Sequence, residues 1–63
     1  IVLSDNALQI LRLQAEGLST EKIAQMLGIS KSTVKYHSQK NYRKLGVKGK
    51  AAAVNEARNR KMI

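Results

Sequence analysis

Polar side chains of several kinds lie at helical spacing within the stretch KSTVKYHSQKNYRKL, residues 31–45. Because a helix turns by about 100° per residue, these positions separate into two sides. On the polar side, a lysine can donate to guanine O6 and N7, a glutamine can pair with adenine N6 and N7, and a tyrosine can pack on a thymine methyl group. The predicted base-contacting residues are Lys35, Tyr36, Gln39 and Ser32.

The other side of the same stretch is a thin stripe of Val34, Ser38, Asn41 and Leu45, with Tyr42 at its edge. Only two of these four stripe residues are apolar, so the helix is predicted to be amphipathic, with a thin apolar stripe and a broad polar face. An unpaired buried amide is costly, so the inward-facing Asn41 should bond backbone groups.

The start of this helix has the chemistry of a phosphate site. Backbone N–H groups at a helix N-terminus and the hydroxyls around it bind phosphate, and basic residues further along can reach flanking phosphates. For any single lysine, simple solvation of an exposed side chain is the alternative. The predicted phosphate-contacting residues are Thr20, Ser30, Lys31, Thr33, Lys40, Arg43, Lys44, Lys48 and Lys50.

Charge supports a polyanionic partner. Twelve Lys and Arg residues stand against four Asp and Glu residues, a net charge of +8, and residues 31–50 hold seven basic residues and no acid. Such an excess favours nucleic acid or an anionic membrane surface. A surface that only aids solubility is the remaining alternative.

Other classes of protein are disfavoured by what the 63 residues contain. There is no Cys, so no disulfide framework or thiolate metal site is expected, and the single His37 has no suitable partners for a metal. One His and four acids are too few to assemble a catalytic site, so we predict that the chain is not an enzyme. No apolar run approaches the roughly 20 residues of a membrane span.

The elements that position the polar stretch are predicted from caps and glycines. Ser4, Ser19 and Ser30 are expected helix N-caps. Leu8, Leu11 and Ala15 give the first helix its apolar face, and Ala53, Val54 and Ala57 give one to a fourth helix over residues 50–61. Gly17, Gly28 and Gly46 should end the first three helices. The prediction is a single all-α domain of four helices over residues 1–63.

The second and third helices have the spacing of a helix-turn-helix. Ala24 leaves room for a close crossing, Gly28 supplies a turn with positive φ, and Val34 anchors the third helix on the second. Ile23, Leu27 and Ile29 fill the apolar positions around them. An ordinary helical hairpin is the alternative.

The motifs AEGLS, IAQMLGIS, TVKYH, RKLGV and AAVNEA occur in an order and spacing that resemble the LuxR-type helix-turn-helix domain over nearly the whole chain. The resemblance implies a third helix that enters the major groove and a fourth that forms a dimer. Lys35, Tyr36 and Gln39 match the family's base-reading positions, and Thr33, Lys35 and Lys44 match residues that bind phosphate. The implied helix-turn-helix covers about residues 20–45 and the dimerisation helix about 50–61.

The resemblance also implies a biological setting. Such domains are the C-terminal output modules of bacterial, cytoplasmic transcription regulators, most often response regulators of two-component systems. The implied partners are double-stranded DNA with inverted or direct repeats, a second copy of the chain, and RNA polymerase, without a cofactor or metal. The expected dimer contacts are the small and polar residues of the fourth helix: Ala51, Ala52, Asn55 and Asn59.

The chain departs from the family pattern at several places. Asn6-Ala7 replaces a usual Arg-Glu, and Glu21-Lys22 reverses a usual Lys-Glu, which leaves Ser19 without a capping-box partner. Ser38 stands where an apolar residue is common, and Lys61 replaces a Gly. We expect these changes to affect stability more than DNA binding.

Two other functions are weighed against DNA reading. A basic helical module for a membrane surface or a protein partner would need bulky apolar residues opposite its lysines, and the stripe here is thin. A promoter reader like that of sigma factors shares the helix-turn-helix, but the RKLGV segment and the fourth helix argue against it.

Overall fold

The computed structural model of the chain describes residues 2–63, which form four helices and no strand. The helices are α1 (Asp5–Ala15), α2 (Thr20–Leu27), α3 (Lys31–Leu45) and α4 (Lys50–Asn59). The all-α prediction is confirmed. Helices α1 and α3 each pack against all three of the other helices.

The first three helices begin at the predicted serine caps. The Oγ atoms of Ser4, Ser19 and Ser30 each accept a hydrogen bond from the backbone N–H three residues ahead, at 3.2, 3.1 and 3.1 Å. Each serine has an extended backbone, as an N-cap requires. Helix α4 follows Gly49 and has no side-chain cap.

Each of the first three helices is followed by a glycine with positive φ. Gly17, Gly28 and Gly46 follow the three helices with φ of 87°, 67° and 70°. The N–H of the next residue then reaches back to a carbonyl of the last turn, as when Ile29 donates to Ala24 at 3.0 Å. That next residue is Leu18, Ile29 or Val47, and each packs on the apolar core.

Helix α4 ends at Asn59 and not at Lys61, so the predicted end of the fourth helix was two residues too late. The reason is that Lys61 has φ of 57°, a left-handed conformation that cannot continue a right-handed helix. Met62 then donates to the Ala57 carbonyl at 2.8 Å and packs on the core. Lys61 therefore occupies the position that glycine fills at the other three ends.

The core consists of two apolar clusters. One lies where α1, α2 and the start of α3 meet and contains Ile10, Leu13, Ile23, Ala24 and Val34. The other joins α1, the end of α3 and α4, and its buried residues are Leu3, Ala7, Leu11, Leu45, Ala53 and Ala57. Helix α3 therefore contributes Val34 to one cluster and Leu45 to the other.

The buried side of α1 is broader than the sequence pattern indicated. Leu11 is fully buried as predicted, but Leu8 and Ala15 are only half-buried. Ile10, Leu13 and Gln14 are buried as well, because α1 faces three helices at once. Burial of the polar Gln14 was not predicted.

Replacing Lys22 by Glu should stabilise the fold. Lys22 is the third residue of α2, and its N–H already bonds Ser19 Oγ. A Glu there can accept from the Ser19 N–H and adds a negative charge near the helix N-terminus. We expect a gain of about 0.5–1 kcal/mol in the free energy of unfolding, measured by urea titration. Lys22→Gln, which supplies the acceptor without the charge, should show part of the gain, and an unchanged K22E would refute the capping argument.

Replacing Lys61 by Gly should also stabilise the fold. Glycine adopts positive φ without the steric cost that a side chain incurs. We expect Lys61→Gly to raise the unfolding free energy by about 0.5–1 kcal/mol after the greater freedom of glycine in the unfolded chain is counted. Lys61→Ala removes the same charge but keeps Cβ, so it should show no such gain. Equal gains in both variants would assign the effect to charge.

Candidate nucleic-acid interface

The outward side of α3 is where the sequence placed the base-contacting residues. Ser32, Lys35, Tyr36 and Gln39 are all exposed, and Tyr36 keeps 59% of its surface open to solvent. Tyrosine has an apolar ring and a polar hydroxyl, both of which can contact a partner at such an exposed position. The side chains of this face can therefore meet a partner without any rearrangement of the core.

Tyr36 packs against two neighbouring side chains of α3. Its ring meets that of His37 edge-on, with centroids 5.5 Å apart, and the Lys40 Nζ lies 5.4 Å from the Tyr36 centroid. The cation–π contact joins residues one helical turn apart. Lys40, predicted to contact phosphate, thus has a position over Tyr36 in the free protein.

The N-terminus of α3 presents its first turn to solvent. Ser30 Oγ lies 2.9 Å from Thr33 Oγ1 and also accepts from the Thr33 N–H. The Lys31 and Ser32 amides precede the first N–H that an intrahelical carbonyl can accept. Ser30, Lys31 and Ser32 are exposed and Thr33 is half-buried, so hydroxyls, amides and one ammonium group share this end.

A cleft of about 420 Å³ brings together predicted residues from three helices. Thr20 at the start of α2, Lys35 and Gln39 on α3, and Lys50 at the start of α4 line it. These four residues are separated by up to 30 positions in the chain, and sequence spacing alone did not predict their meeting. Two ammonium groups, a hydroxyl and an amide around one open cleft suit an anionic ligand.

Four other predicted phosphate-contacting residues lie outside the cleft. All are exposed and are spread along α3 and the segment that leads to α4. The structure does not bring them into the cleft. They are Lys31, Arg43, Lys44 and Lys48.

The inward side of α3 is docked by hydrogen bonds as well as by apolar contacts. Asn41, 1% exposed, donates from Nδ2 to the Ala7 carbonyl at 3.2 Å, which confirms its predicted bond to backbone. Gln14 of α1 donates from Nε2 to Ser38 Oγ at 3.1 Å and to the Tyr42 hydroxyl at 3.4 Å. Gln14, Ser38 and Tyr42 form the back wall of the cleft.

Sequence reasoning missed Gln14 although a signal was present. Gln14 lies four residues after Ile10 and three after Leu11, which places it on the buried side of α1. A polar residue at that register needs a buried partner, and Ser38 is the polar residue on the facing stripe. The match between the two positions becomes visible only when the two helices are packed together.

A second cleft, of about 340 Å³, lies on the other flank of α3. The side chains of Asn6, Gln9, Leu27, Thr33 and His37 contribute to its walls. None of these residues carries a formal charge when His37 is neutral, so this cleft differs in chemistry from the first.

The exposed side of α4 carries the predicted dimer contacts. Ala51, Ala52, Asn55 and Asn59 are all open to solvent, opposite the buried Ala53, Val54 and Ala57. At the end of the helix, Arg60 Nε lies 2.6 Å from Glu56 Oε2, an ion pair at the surface. Exposed pairs of this kind contribute little to stability.

The described part of the chain contains neither a cluster of metal-binding side chains nor a helix that could span a membrane. Residues 2–63 hold no group of three or more His, Cys, Asp or Glu side chains placed to bind a metal ion. Among the four helices, none has the length and apolar content that crossing a bilayer requires.

Comparison with known proteins identifies the family. A model described as bacterial regulatory proteins of the luxR family matches residues 1–57. The chain is 44% identical over 52 residues to the nitrate/nitrite response regulator protein NarP of Escherichia coli (strain K12), covering 82% of this chain and 24% of that protein. It is also 44% identical over 62 residues to the probable transcriptional regulatory protein NarL of Mycobacterium tuberculosis (strain CDC 1551 / Oshkosh), covering 98% of this chain and 29% of that protein.

A solved structure gives the same answer for the fold. The crystal structure of the response regulator ChrA in a heme-sensing two component system matches with a TM-score of 0.97 at 40% identity, over 100% of this chain and 31% of that one. The chain therefore spans between a quarter and a third of the length of these proteins. The motifs, the four-helix fold and these matches agree, and the chain belongs to the luxR family of bacterial regulatory proteins.

Proposed function

We propose that this domain binds double-stranded DNA in a sequence-specific way and that α3 reads base edges in the major groove. The family supports DNA binding in transcription regulation. The proposal that α3 reads bases rests on its outward face, where Ser32, Lys35, Tyr36 and Gln39 are exposed and can hydrogen-bond or pack against base edges.

The dimensions of α3 suit this role. Its 15 residues give a length of about 22 Å, and the major groove is about 12 Å wide, enough to admit one helix. The apolar residues of its other side, Val34 and Leu45, are buried in the core. They are therefore not available to lipid, which disfavours a membrane surface as the partner of this helix.

The cleft suggests the path of one DNA strand. Thr20 and Lys50 stand at the starts of α2 and α4 and share the cleft with Lys35 and Gln39. A phosphate near Thr20 and Lys50 would leave the next bases beside Lys35 and Gln39. Ser30, Lys31 and Thr33 at the start of α3 would meet a further phosphate. The exposed Lys40, Arg43, Lys44 and Lys48 would reach flanking phosphates.

The setting follows from the relatives. NarP and ChrA are named as response regulators and NarL as a probable transcriptional regulatory protein. We infer that this domain is the output module of such a regulator in the bacterial cytoplasm. A signal received elsewhere in the protein would then control how often α3 meets DNA.

Two copies would bind together through α4. Ala51, Ala52, Asn55 and Asn59 form an exposed face of short side chains that lets two helices approach closely. The area is small and half of it is polar, so the contact is weak and depends on DNA or on the remainder of the regulator. A pair of domains would read two half-sites about one helical turn apart.

Selection from a random DNA library tests the proposal directly. The domain should enrich one short motif at moderate salt in the presence of competitor DNA, and its half-sites should lie about ten base pairs apart if α4 pairs the copies. A single enriched half-site would argue against pairing through α4. Salt-sensitive binding without any enriched motif would contradict sequence-specific reading.

Two substitutions separate base contacts from phosphate contacts. Gln39→Ala should lose preference at one base pair, at a cost of about 1–3 kcal/mol there. Lys44→Ala should weaken binding to all sequences alike and reduce by about one the slope of log affinity against log salt. Affinity for the selected site and for its single-pair variants, measured at several salt concentrations, distinguishes them. Identical behaviour of the two variants would contradict the assignment.

A further inference from the structure

The centre of the stripe that docks α3 is polar. Its ends are Val34 and Leu45, each in a separate apolar cluster, and between them lie Ser38 and Asn41. Gln14 of α1 is 7% exposed and donates to Ser38 Oγ at 3.1 Å and to the Tyr42 hydroxyl at 3.4 Å. The buried amide of Gln14 therefore forms hydrogen bonds to two residues of α3 that lie one helical turn apart.

A buried amide at position 14 is energetically unfavourable if its only role is to fill space in the core. Gln14 Oε1 is buried and has no hydrogen-bond partner among the described residues. Apolar side chains of similar volume at both position 14 and position 38 would pack there and leave fewer buried polar atoms unpaired. What the amide adds over an apolar residue is direction, because a hydrogen bond fixes distance and angle where an apolar contact lets surfaces slide.

The bonds act on the flank of α3 that carries two of the proposed base-reading residues. Ser38 follows Lys35 by three positions and directly precedes Gln39, and Tyr42 follows Gln39 by three. All four of these residues, together with Gln14, line the same cleft. Any rotation of α3 that breaks the Gln14 bonds therefore also moves Lys35 and Gln39.

Small rotations are enough to matter. A turn of about 20° about the helix axis moves an atom about 6 Å from that axis by about 2 Å. Successive base pairs are only about 3.4 Å apart, and a recognition contact must hold its geometry within about 0.5 Å. The apolar anchors at the two ends of α3 restrain its position, and the bonds at its centre restrain its rotation.

We propose that Gln14, acting through Ser38 and Tyr42, is a positioning residue that sets the rotation of α3 and so determines the base preference at the pairs read by Lys35 and Gln39. This inference rests on the proposed function of α3. Gln14 itself would not contact DNA in this arrangement, because only 7% of its surface is exposed.

The test compares conservative variants with a matched control. Ser38→Ala removes the nearer acceptor, and Gln14→Met keeps the length of the side chain but removes both bonds. Gln9→Met makes the same change at an exposed position of α1 outside the proposed DNA contacts. Each folded variant is titrated with the selected duplex, with duplexes altered at each base pair in turn, and with nonspecific DNA at several salt concentrations.

For S38A and Q14M we expect the preference at the pairs read by Lys35 and Gln39 to fall about tenfold. Affinity for nonspecific DNA and the salt slope should stay unchanged, since no phosphate contact is altered. Q9M should match the unmodified domain. Tyr42→Phe, which removes only the longer bond, should have a smaller effect of the same kind.

The outcomes separate the two proposals. A merely structural role would lower affinity for all sequences in proportion to the unfolded fraction and would leave the base preference intact, and that result in S38A and Q14M overturns the inference. If the unmodified domain itself shows no base preference, the proposed function has failed and the inference falls with it. Loss of preference in Q9M as well would also overturn the inference.

Discussion

Helix α3 packs on the core with one side and presents polar side chains to solvent with the other. The contact that holds it on the core is therefore narrow, and the rest of the structure depends on that contact. The outward face of α3 is left open, so only Val34 and Leu45 supply fully apolar anchoring, one in each core cluster. Helix α1 has to face both clusters at once and is consequently buried on a broad side. Helices α2 and α4 complete the two clusters, and their first residues, Thr20 and Lys50, both line the cleft beside the α3 face.

This arrangement gives the fold only a small margin of stability. A chain of 63 residues buries only about 60% of its unfolded surface. The buried hydrophobic side chains are all aliphatic and four of the twelve are alanine, and two buried acceptors, Gln14 Oε1 and Asn41 Oδ1, have no partner among the described residues. Seven basic residues in residues 31–50 also repel one another. A polyanion that binds the folded state would relieve that repulsion and stabilise the domain, so fold and function are thermodynamically linked in this account.

Local chemistry explains which features could be predicted from the sequence. Ser4, Ser19 and Ser30 cap their helices by bonds that span three residues, and Gly17, Gly28 and Gly46 need only their own freedom of φ. The exposure of Lys35, Tyr36 and Gln39 followed from helical periodicity alone. The left-handed backbone of Lys61 could not be predicted in this way, because the residue type lysine does not indicate a positive φ. The Gln14–Ser38 bond and the cleft shared by Thr20 and Lys50 depend on how distant segments pack, which periodicity does not contain.

The position of the outward face of α3 in the major groove can be measured by NMR of the complex. The isotope-labelled domain would be bound to its selected duplex and intermolecular NOEs assigned. We expect NOEs from the Lys35, Tyr36 and Gln39 side chains to cytosine H5 and thymine methyl protons, which line the major groove. NOEs from these residues only to sugar or minor-groove protons, or contacts centred on α1 instead, would contradict it.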